Sequence, residues 1–269
     1  MTVPFDFHTH CELSFDGKDS PEEMICAAIN LGMKAYALTD HVEAERFTEP
    51  DYRCDITVRR AAELLPPLKE KYSGQIDFLY GAELGQPVQN TALAEKLLAE
   101  NDYDFVIGSL HAIAGYEDFY FLDYRENDPV FLLDRYFDEL LAMAQWGKFD
   151  VLGHLTYPLR YICGEHGITV DMQQYDKVID EIFRTLIANG CGIEINTSGL
   201  RQKIGKTMPD EKCVMRYRQL GGEIITIGSD SHGAADLGKD VAEGIELAKK
   251  AGFRKIACFK KRKAEFIDI

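Results

Sequence analysis

Residues 171–198, DMQQYDKVIDEIFRTLIANGCGIEINTS, contain one complete helix–strand unit. Over 171–189 the apolar residues recur at helical spacing, which is typical of a helix that packs one face on a sheet. This stripe comprises Met172, Tyr175, Val178, Ile179, Ile182, Phe183, Leu186 and Ile187. Gly190 stands where a helix C-cap is expected, and 191–198 follows as a short run of β-forming residues. The stretch therefore predicts a helix that leads directly into a buried strand.

The same alternation runs along the whole chain. Strands are predicted at 5–10, 34–41, 76–84, 104–111, 150–155, 191–198 and 223–232, and helices at 21–31, 57–72, 90–100, 129–146, 171–189, 209–220 and 236–251. Strands that alternate with helices predict a parallel sheet with helical crossovers, which either a doubly wound open sheet or a barrel satisfies. No Gly-rich phosphate-binding turn follows the first strand, which disfavours a dinucleotide-binding domain. No linker-like stretch divides the chain, so we expect a single domain over 1–269.

Composition narrows the possible partners and the compartment. The chain has 269 residues, with 30 Lys+Arg against 45 Asp+Glu and a net charge of −15. Such an acidic protein repels phosphate backbones, so no nucleic-acid partner is expected, and the basic cluster at 254–263 is interpreted as a solvated strand edge. The sequence contains no apolar run long enough to span a membrane and no export signal, and its seven cysteines form no C-x-x-C pair. We expect a cytoplasmic protein without a membrane partner, whose oligomeric state the sequence leaves open.

Six of the seven histidines end predicted strands. They are His8, His10, His41, His111, His154 and His232. Parallel α/β folds place their catalytic groups at the C-terminal ends of strands. A single histidine there is more often a hydrogen-bonded core or surface residue than a ligand. Six at equivalent positions are hard to explain by packing, which favours Val, Ile and Leu, so together they predict a metal site.

Acidic residues accompany these histidines. His8 and His10 are two residues apart in a strand and so point the same way, and Asp230 and His232 repeat this spacing in the last strand. Glu83 ends the third strand, where a buried carboxylate is costly without a partner. A position between two cations and a salt bridge to Lys or Arg are the two explanations that remain open for Glu83.

The positions of two other acids each allow two interpretations. Asp16 lies in the first loop as either a turn residue or a ligand. Asp40 precedes His41, and the side chains of adjacent strand residues point to opposite faces. We therefore expect Asp40 either to contact the metal ligands without binding a metal itself or to have only a structural role.

Loops that follow the strands offer substrate contacts. Arg160 and Arg201 follow the fifth and sixth strands, and guanidinium groups bind phosphate through paired hydrogen bonds, although a typical loop arginine is simply solvated. The loop at 112–128 concentrates aromatic residues and carboxylates, which suit an imidazole and an ammonium group. A lid that packs on the barrel rim is the alternative. The loop residues concerned are Tyr116, Glu117, Asp118, Phe119, Tyr120, Phe121, Asp123 and Tyr124.

Six ordered motifs resemble the polymerase-and-histidinol-phosphatase (PHP) superfamily, and within it the chain is most similar to the monofunctional histidinol-phosphatases. The motifs are FHTHCELSFDG (7–17), LTDH (38–41), YGAEL (80–84), GSLH (108–111), LGHL (152–155) and GSDSH (228–232). The resemblance implies a distorted (βα)7 barrel, similar to a TIM barrel, with parallel strands and a trinuclear metal site.

The resemblance also implies how the ligands divide among three metals. The first metal would be held by His8, His10, Glu83 and Asp230, the second by Glu83, His111 and His154, and the third by Asp16, His41 and His232. Glu83 would bridge the first two. Mixed imidazole and carboxylate ligands suit Zn, Mn or Fe. Glu83, Asp230 and Asp40 are then the catalytic candidates, and Arg160 and Arg201 the substrate-binding candidates.

The net charge of such a metal site indicates the kind of substrate that it binds. Three divalent cations with three carboxylates leave a net charge of about +3, which suits a phosphate dianion, and a hydroxide that bridges two metals can attack phosphorus. We expect a phosphoric monoester hydrolase that converts L-histidinol phosphate to L-histidinol and phosphate in histidine biosynthesis. The alternatives are a PHP phosphoesterase that acts on nucleotides or oligonucleotide ends, and a metal-binding regulator or inactive scaffold that retains the fold.

Overall fold

Seven parallel strand positions form a nearly closed barrel in a computed structural model that describes residues 3–269. The barrel strands are β1 (Phe5–Asp6), β2 (Ala35–Leu38), β3 (His41–Glu43), β4 (Asp77–Gly85), β5 (Phe105–Ser109), β6 (Val151–Leu152), β7 (Gly192–Asn196) and β8 (Ile225–Gly228). Their spatial order is β1-β2-β4-β5-β6-β7-β8, with β3 also paired to β4. Because this order follows the chain without reversing, the predicted barrel is confirmed and the open doubly wound sheet is excluded.

The second strand position is split in two. β2 pairs with the first half of β4, and β3 pairs with its second half, where His41 lies opposite Glu83. The predicted strand at 34–41 is therefore interrupted at Thr39 and Asp40. The split gives His41 its own backbone pairing beside Glu83.

The barrel closes between its first and last strands. Thr9 and Ser231 form a parallel bridge just beyond β1 and β8. The His10 amide donates to the Ser231 carbonyl at 2.8 Å, and the Asp230 amide donates to the His8 carbonyl at 2.8 Å. The motifs at the two ends of the sequence are thereby made neighbours.

Helices follow the strands as predicted; two of the seven start at the predicted residue, and the other five start one to five residues away from it. They are α1 (Pro21–Asn30), α2 (Cys54–Lys71), α3 (Thr91–Glu100), α4 (Pro129–Trp146), α5 (Asp176–Asn189), α6 (Glu211–Gln219) and α7 (Val241–Lys250). The expected capping box at Ser20 and Glu23 is present, and Asp128 caps α4 ahead of Pro129. α5 begins later than predicted because its first residues form a tighter turn, Met172–Tyr175, which Asp171 caps.

The apolar stripe of α5 packs as its spacing predicts. Ile179, Ile182, Phe183 and Leu186 are all buried, and α5 packs beside α4. Burying one helix face in this way stabilises the layer of helices around the barrel.

A C-terminal hairpin was not predicted. β9 (Lys255–Lys260) and β10 (Lys263–Asp268) pair antiparallel and contain most of the basic cluster. Phe259 stacks on Phe105 with ring centres 5.2 Å apart, and the Arg262 Nε lies 2.6 Å from Asp150 Oδ2. Phe105 opens β5 and Asp150 directly precedes β6, so the hairpin covers the N-terminal end of the barrel.

None of the helices within residues 3–269 is long and apolar enough to cross a membrane.

Candidate active site

The C-terminal ends of the strands surround a cavity of about 520 Å³. The predicted site residues that line it are Asp16, His41, Glu83, His111, His154, Arg160, Asp230 and His232. His8 and His10 lie beneath its floor and are fully buried. The barrel therefore brings all six strand-end histidines to one place.

One group of ligand atoms lies at the floor of the cavity. Glu83 Oε2 is 3.3 Å from His8 Nε2 and 3.6 Å from His10 Nε2, and Asp230 Oδ1 lies 3.9 Å and 3.5 Å from the same two nitrogens. Atoms that share an ion at 2.0–2.2 Å stand roughly 3–3.6 Å apart. Within residues 3–269, His8 Nε2, His10 Nε2 and Glu83 Oε2 have no hydrogen-bond partner although all three are buried. Unpaired buried atoms are costly, and a cation would satisfy them together.

The other oxygen of Glu83 faces a second group. Glu83 Oε1 lies 2.8 Å from His154 Nε2 and 3.1 Å from His111 Nε2, and the two nitrogens are 3.2 Å apart. All ion-pair partners of Glu83 in the described chain are histidines. This excludes the salt bridge to Lys or Arg, and the position of Glu83 between two cations stays a prediction.

A third group is more open to solvent. Asp16 Oδ2 lies 3.0 Å from His232 Nε2 and 3.7 Å from His41 Nε2. The groups overlap, however, since His10 also clusters with His41 and His232, and His41 clusters with Glu83. The structure brings all nine candidate ligands together, and their division among three metals stays a prediction.

Two buried carboxylates that the sequence reading missed hold the histidine rings from behind. Glu194 Oε1 lies 2.7 Å from His8 Nδ1, while its Oε2 accepts the His154 amide at 2.9 Å. Glu43 Oε1 lies 3.0 Å from His111 Nδ1. A carboxylate at one ring nitrogen orients the other nitrogen toward a metal. Each acid lies inside a buried strand, and an acid in such a strand is the signal that could have found it.

The electrostatics of the cluster keep Glu83 ionised. Burial opposes its charge, but the surrounding His8, His111 and His41 hold the pKa of Glu83 well below its ordinary value. Burial and two neighbouring imidazoles lower the pKa of His10 to about 3. At neutral pH Glu83 thus presents an anionic oxygen and His10 a neutral imidazole, the forms that bind metals. At His8, His41 and His111, burial is outweighed by neighbouring carboxylates that raise the pKa, so a metal that binds these three must displace protons from them.

Asp40 is placed behind the ligands. Its carboxylate accepts the Cys11 amide at 2.9 Å and the Ser14 hydroxyl at 2.7 Å, and Ser14 Oγ in turn accepts the His41 amide at 3.0 Å. Burial raises the pKa of Asp40. Asp40 does not line the cavity, so its contacts fit a positioning role rather than contact with a substrate.

The two candidate arginines are differently engaged. Arg160 lines the cavity, with its Nη2 3.6 Å from Asp230 Oδ2 and its guanidinium over the Tyr157 ring. Arg201 instead donates through Nη2 to the carbonyls of Ser229 at 2.6 Å and Asp230 at 3.2 Å. Asp230 has a φ of 54°, in the left-handed region, so these two hydrogen bonds from Arg201 stabilise a strained backbone conformation. Arg160 is thus placed for a substrate contact, while Arg201 is turned to the main chain.

Comparison with known proteins places this geometry in a family. Residues 6–198 match the PHP domain. The chain belongs to the PHP family. It is 30% identical to a probable histidinol-phosphatase of Thermotoga maritima over 253 residues, 94% of each chain. It is 25% identical to the histidinol-phosphatase of Lactococcus lactis, over 94% of this chain and 93% of the relative.

A solved structure shares the fold of this PHP protein. The crystal structure of a histidinol phosphate phosphatase from Lactococcus lactis, complexed with Zn, L-histidinol and phosphate, superposes with a TM-score of 0.82. The likeness covers 98% of this chain and 99% of that chain at 23% identity. At that identity the match shows that the two proteins share the barrel.

The contacts of Glu194 give a first testable prediction for this PHP protein. Glu194→Gln removes the negative charge behind His8, and we expect roughly 10- to 100-fold weaker metal binding. Chelator competition with Zn²⁺ measures this affinity, and the exposed Glu223→Gln should match the unsubstituted protein. Equal affinity for Glu194→Gln and the control would show that Glu194 only fills the core.

Proposed function

We propose that this PHP protein is a metal-dependent phosphatase that hydrolyses L-histidinol phosphate to L-histidinol and phosphate in histidine biosynthesis. The observation that carries the proposal is Glu83, whose two oxygens face two separate groups of histidine nitrogens. The names of the relatives, and the ligands of the structure that shares its barrel, support the substrate. We further propose a single catalytic domain over 1–269 that works in the cytoplasm on this small molecule.

Three divalent transition metals are the proposed cofactors. Glu83 would bridge two of them, held also by His8, His10, Asp230, His111 and His154, and Asp16, His41 and His232 would hold the third. The ligand set suits Zn, Mn or Fe, and Zn is present in the Lactococcus lactis structure. When bound, the metals would neutralise the phosphoryl oxygens and lower the pKa of a coordinated water.

The chain's own groups complete a phosphate site. Arg160 points into the cavity beside Asp230, where its guanidinium can donate paired hydrogen bonds to phosphate oxygens. The Tyr157 ring beneath it and the Ser198 hydroxyl, which Nη2 contacts at 3.1 Å, keep the guanidinium in place. The net charge of −15 disfavours the alternative substrates with polyanionic backbones.

Arg160 should make this site selective for monoesters. A monoester dianion offers three non-bridging oxygens to the metals and Arg160, whereas a diester offers two and carries less charge. Losing one charge-assisted contact is worth about 1.5–3 kcal/mol, so we expect kcat/KM for L-histidinol phosphate to exceed that for a simple diester by at least roughly 10-fold. Arg160→Ala should lower the ratio of kcat/KM for L-histidinol phosphate to kcat/KM for the diester, because the monoester loses a contact that the diester makes less well.

Phosphate release from the Zn²⁺- or Mn²⁺-loaded protein measures the selectivity. The substrates are L-histidinol phosphate, a nucleoside 5′-monophosphate and a bis-aryl phosphate diester. Arg125→Ala is the control, because that arginine is exposed and pairs with Asp123 on the surface. If nucleotides or diesters turn over as fast as L-histidinol phosphate, the histidine-pathway assignment is wrong and the nucleotide alternative replaces it.

A further inference from the structure

Arg160 has a polar partner, Gln202, that the proposed function does not yet use. The Nε of Arg160 donates to Gln202 Oε1 at 2.5 Å, which is the shortest polar contact of this guanidinium in the described chain. A guanidinium group only donates hydrogen bonds, so the carbonyl oxygen of the Gln202 amide must face it. Gln202 is half-buried and is not among the described residues that line the cavity. It therefore contacts Arg160 from outside the space that a substrate occupies.

The contact with Gln202 determines which N–H groups of Arg160 are left for a phosphate. A guanidinium holds its N–H groups in one plane, with one parallel pair on Nε and Nη2 and another on Nη1 and Nη2. Gln202 takes the Nε–H group, so only the pair on Nη1 and Nη2 remains. Nη1 has no closer partner in residues 3–269 than the Tyr161 hydroxyl at 3.5 Å, and one of the two N–H groups of Nη2 suffices for its contact with Ser198. A parallel pair of this kind fits two oxygens of one phosphate.

Gln202 fixes Arg160 without neutralising it. Within residues 3–269, Asp230 is the one residue that forms an ion pair with Arg160, at 3.6 Å. A glutamate at position 202 would place a second carboxylate against the guanidinium and weaken its attraction for a phosphate dianion. The glutamine amide makes the same hydrogen bond and adds no charge. The positive charge of Arg160 thus stays available to a ligand.

The backbone of Gln202 is held in place by its own loop. Gln202 follows the short helical turn Ser198–Arg201 after β7, and its amide donates to the Gly199 carbonyl at 3.2 Å. Its carbonyl accepts the Gly205 amide at 3.0 Å. Both polar groups of its main chain are therefore paired, which limits the positions that the side chain reaches.

The loops that carry Arg160 and Gln202 also pack directly on each other. Arg160 begins a π-helical turn, Arg160–Glu165, in the loop after β6. Gly164, in that turn, lies so close to the second loop that a Cβ there would be 2.9 Å from the Ile204 nitrogen. This packing keeps Gln202 within reach of Arg160 before a ligand binds, so little ordering cost falls on the ligand.

We propose that Gln202 is a positioning residue of the phosphate site, which fixes the Arg160 guanidinium while leaving its charge and its Nη1–Nη2 pair to a phosphate group. The inference deepens the function proposed above and rests on it. Gln202 acts through Arg160 and not by touching the substrate. Removing its carbonyl oxygen should therefore weaken phosphate binding only while Arg160 is present.

Gln202→Met tests the proposal, because methionine has nearly the size of glutamine but is only a weak acceptor. Calorimetric titration of the Zn²⁺-loaded full-length protein with inorganic phosphate measures the phosphate site without turnover. We expect Gln202→Met to bind phosphate roughly 10-fold more weakly and to lower kcat/KM for L-histidinol phosphate by a similar factor. Gln202→Glu should bind phosphate more weakly still, because it pairs with the charge of Arg160. Gln174→Met, at an exposed glutamine of the turn Met172–Tyr175, is the matched control and should change neither quantity.

A double-mutant cycle separates the positioning of Arg160 from a general structural role. Arg160→Ala already weakens phosphate binding, and adding Gln202→Met to it should weaken binding no further. An equal effect of Gln202→Met with and without Arg160 would overturn the proposal, and so would an unchanged phosphate affinity in the single variant. Thermal melting identifies a variant that fails to fold. If Gln202→Met does not fold, an unchanged phosphate affinity in Gln202→Glu would overturn the proposal in its place.

Failure of the proposed function would give a different result. If the protein binds inorganic phosphate with the expected dependence on Gln202 and Arg160 but does not hydrolyse L-histidinol phosphate, the proposed substrate is wrong and the role of Gln202 holds. If it hydrolyses L-histidinol phosphate and Gln202→Met changes neither phosphate affinity nor kcat/KM, the role of Gln202 alone is wrong.

Discussion

Glu83→Gln should lower kcat for L-histidinol phosphate by at least about 10³-fold while changing KM far less. The substitution keeps the size of the side chain but replaces one oxygen by an amide nitrogen, which cannot bind a metal, and removes the negative charge. One of the two groups that face Glu83 then loses its carboxylate, so the paired cations are no longer bridged. Because that pair would stabilise the transition state by several kcal/mol, the loss appears in kcat.

The metal content of each variant must be measured alongside its kinetics. Glu83→Gln should retain less metal per chain than the unsubstituted protein, whereas Glu223→Gln, far from the cavity and exposed, should retain it all. Near-normal kcat together with full metal content in Glu83→Gln would show that Glu83 is structural. The proposed bridge would then have to be abandoned.

Removal of the metals should have an equally large effect. The buried nitrogens of His8 and His10 and the Oε2 of Glu83 have no hydrogen-bond partner in the described chain, so a bound cation would satisfy them. Dialysis against a chelator should abolish phosphate release, and adding back Zn²⁺, Mn²⁺ or Fe²⁺ should restore it. The metal that restores the highest kcat identifies the working cofactor among these three.

The apo protein should also melt at a lower temperature than the metal-loaded protein. A metal that binds only the folded state stabilises it by mass action. A chelated, metal-free preparation that keeps full activity would contradict the whole proposed mechanism. Full activity with only one metal bound per chain would instead contradict the proposed bridging role of Glu83.

The barrel and the location of the site follow from local sequence signals. Five of the seven predicted strands carried the six histidines at their C-terminal ends. Because parallel strands bring these ends to one face, the histidines had to meet. Pro129 and the Ser20–Glu23 pair marked helix starts correctly because capping depends only on neighbouring residues. The resemblance to PHP proteins added the expected pairing of ligands.

Features that depend on distant partners were not predictable in this way. Glu194 and Glu43 are buried acids that contact the rings of His8 and His111, which come from other strands of the barrel. Their role in orienting these rings is therefore visible only in the folded chain. The C-terminal hairpin is defined by Asp104 and Asp150, which come from far earlier in the chain. A short alternating strand such as β9 gives no sign of the surface that it will cover.

The two arginines show the same limit. Both follow strands, and both carry the guanidinium group that phosphate sites use. Only the folded chain shows that Arg160 reaches the cavity while Arg201 is occupied by the carbonyls of Ser229 and Asp230. Spacing from a strand end places a residue near a site, but its nearest hydrogen-bond acceptors decide where the side chain points.

Anomalous X-ray diffraction from crystals of the metal-loaded protein tests the central claim most directly. The account predicts two strong peaks roughly 3.5–4 Å apart, one on each side of the Glu83 carboxylate, with a third peak beside Asp16, His41 and His232. The peak next to Glu83 Oε2 should lie within bonding distance of His8 and His10. A single peak at Glu83, or peaks that avoid its carboxylate, would contradict the bridged metal pair.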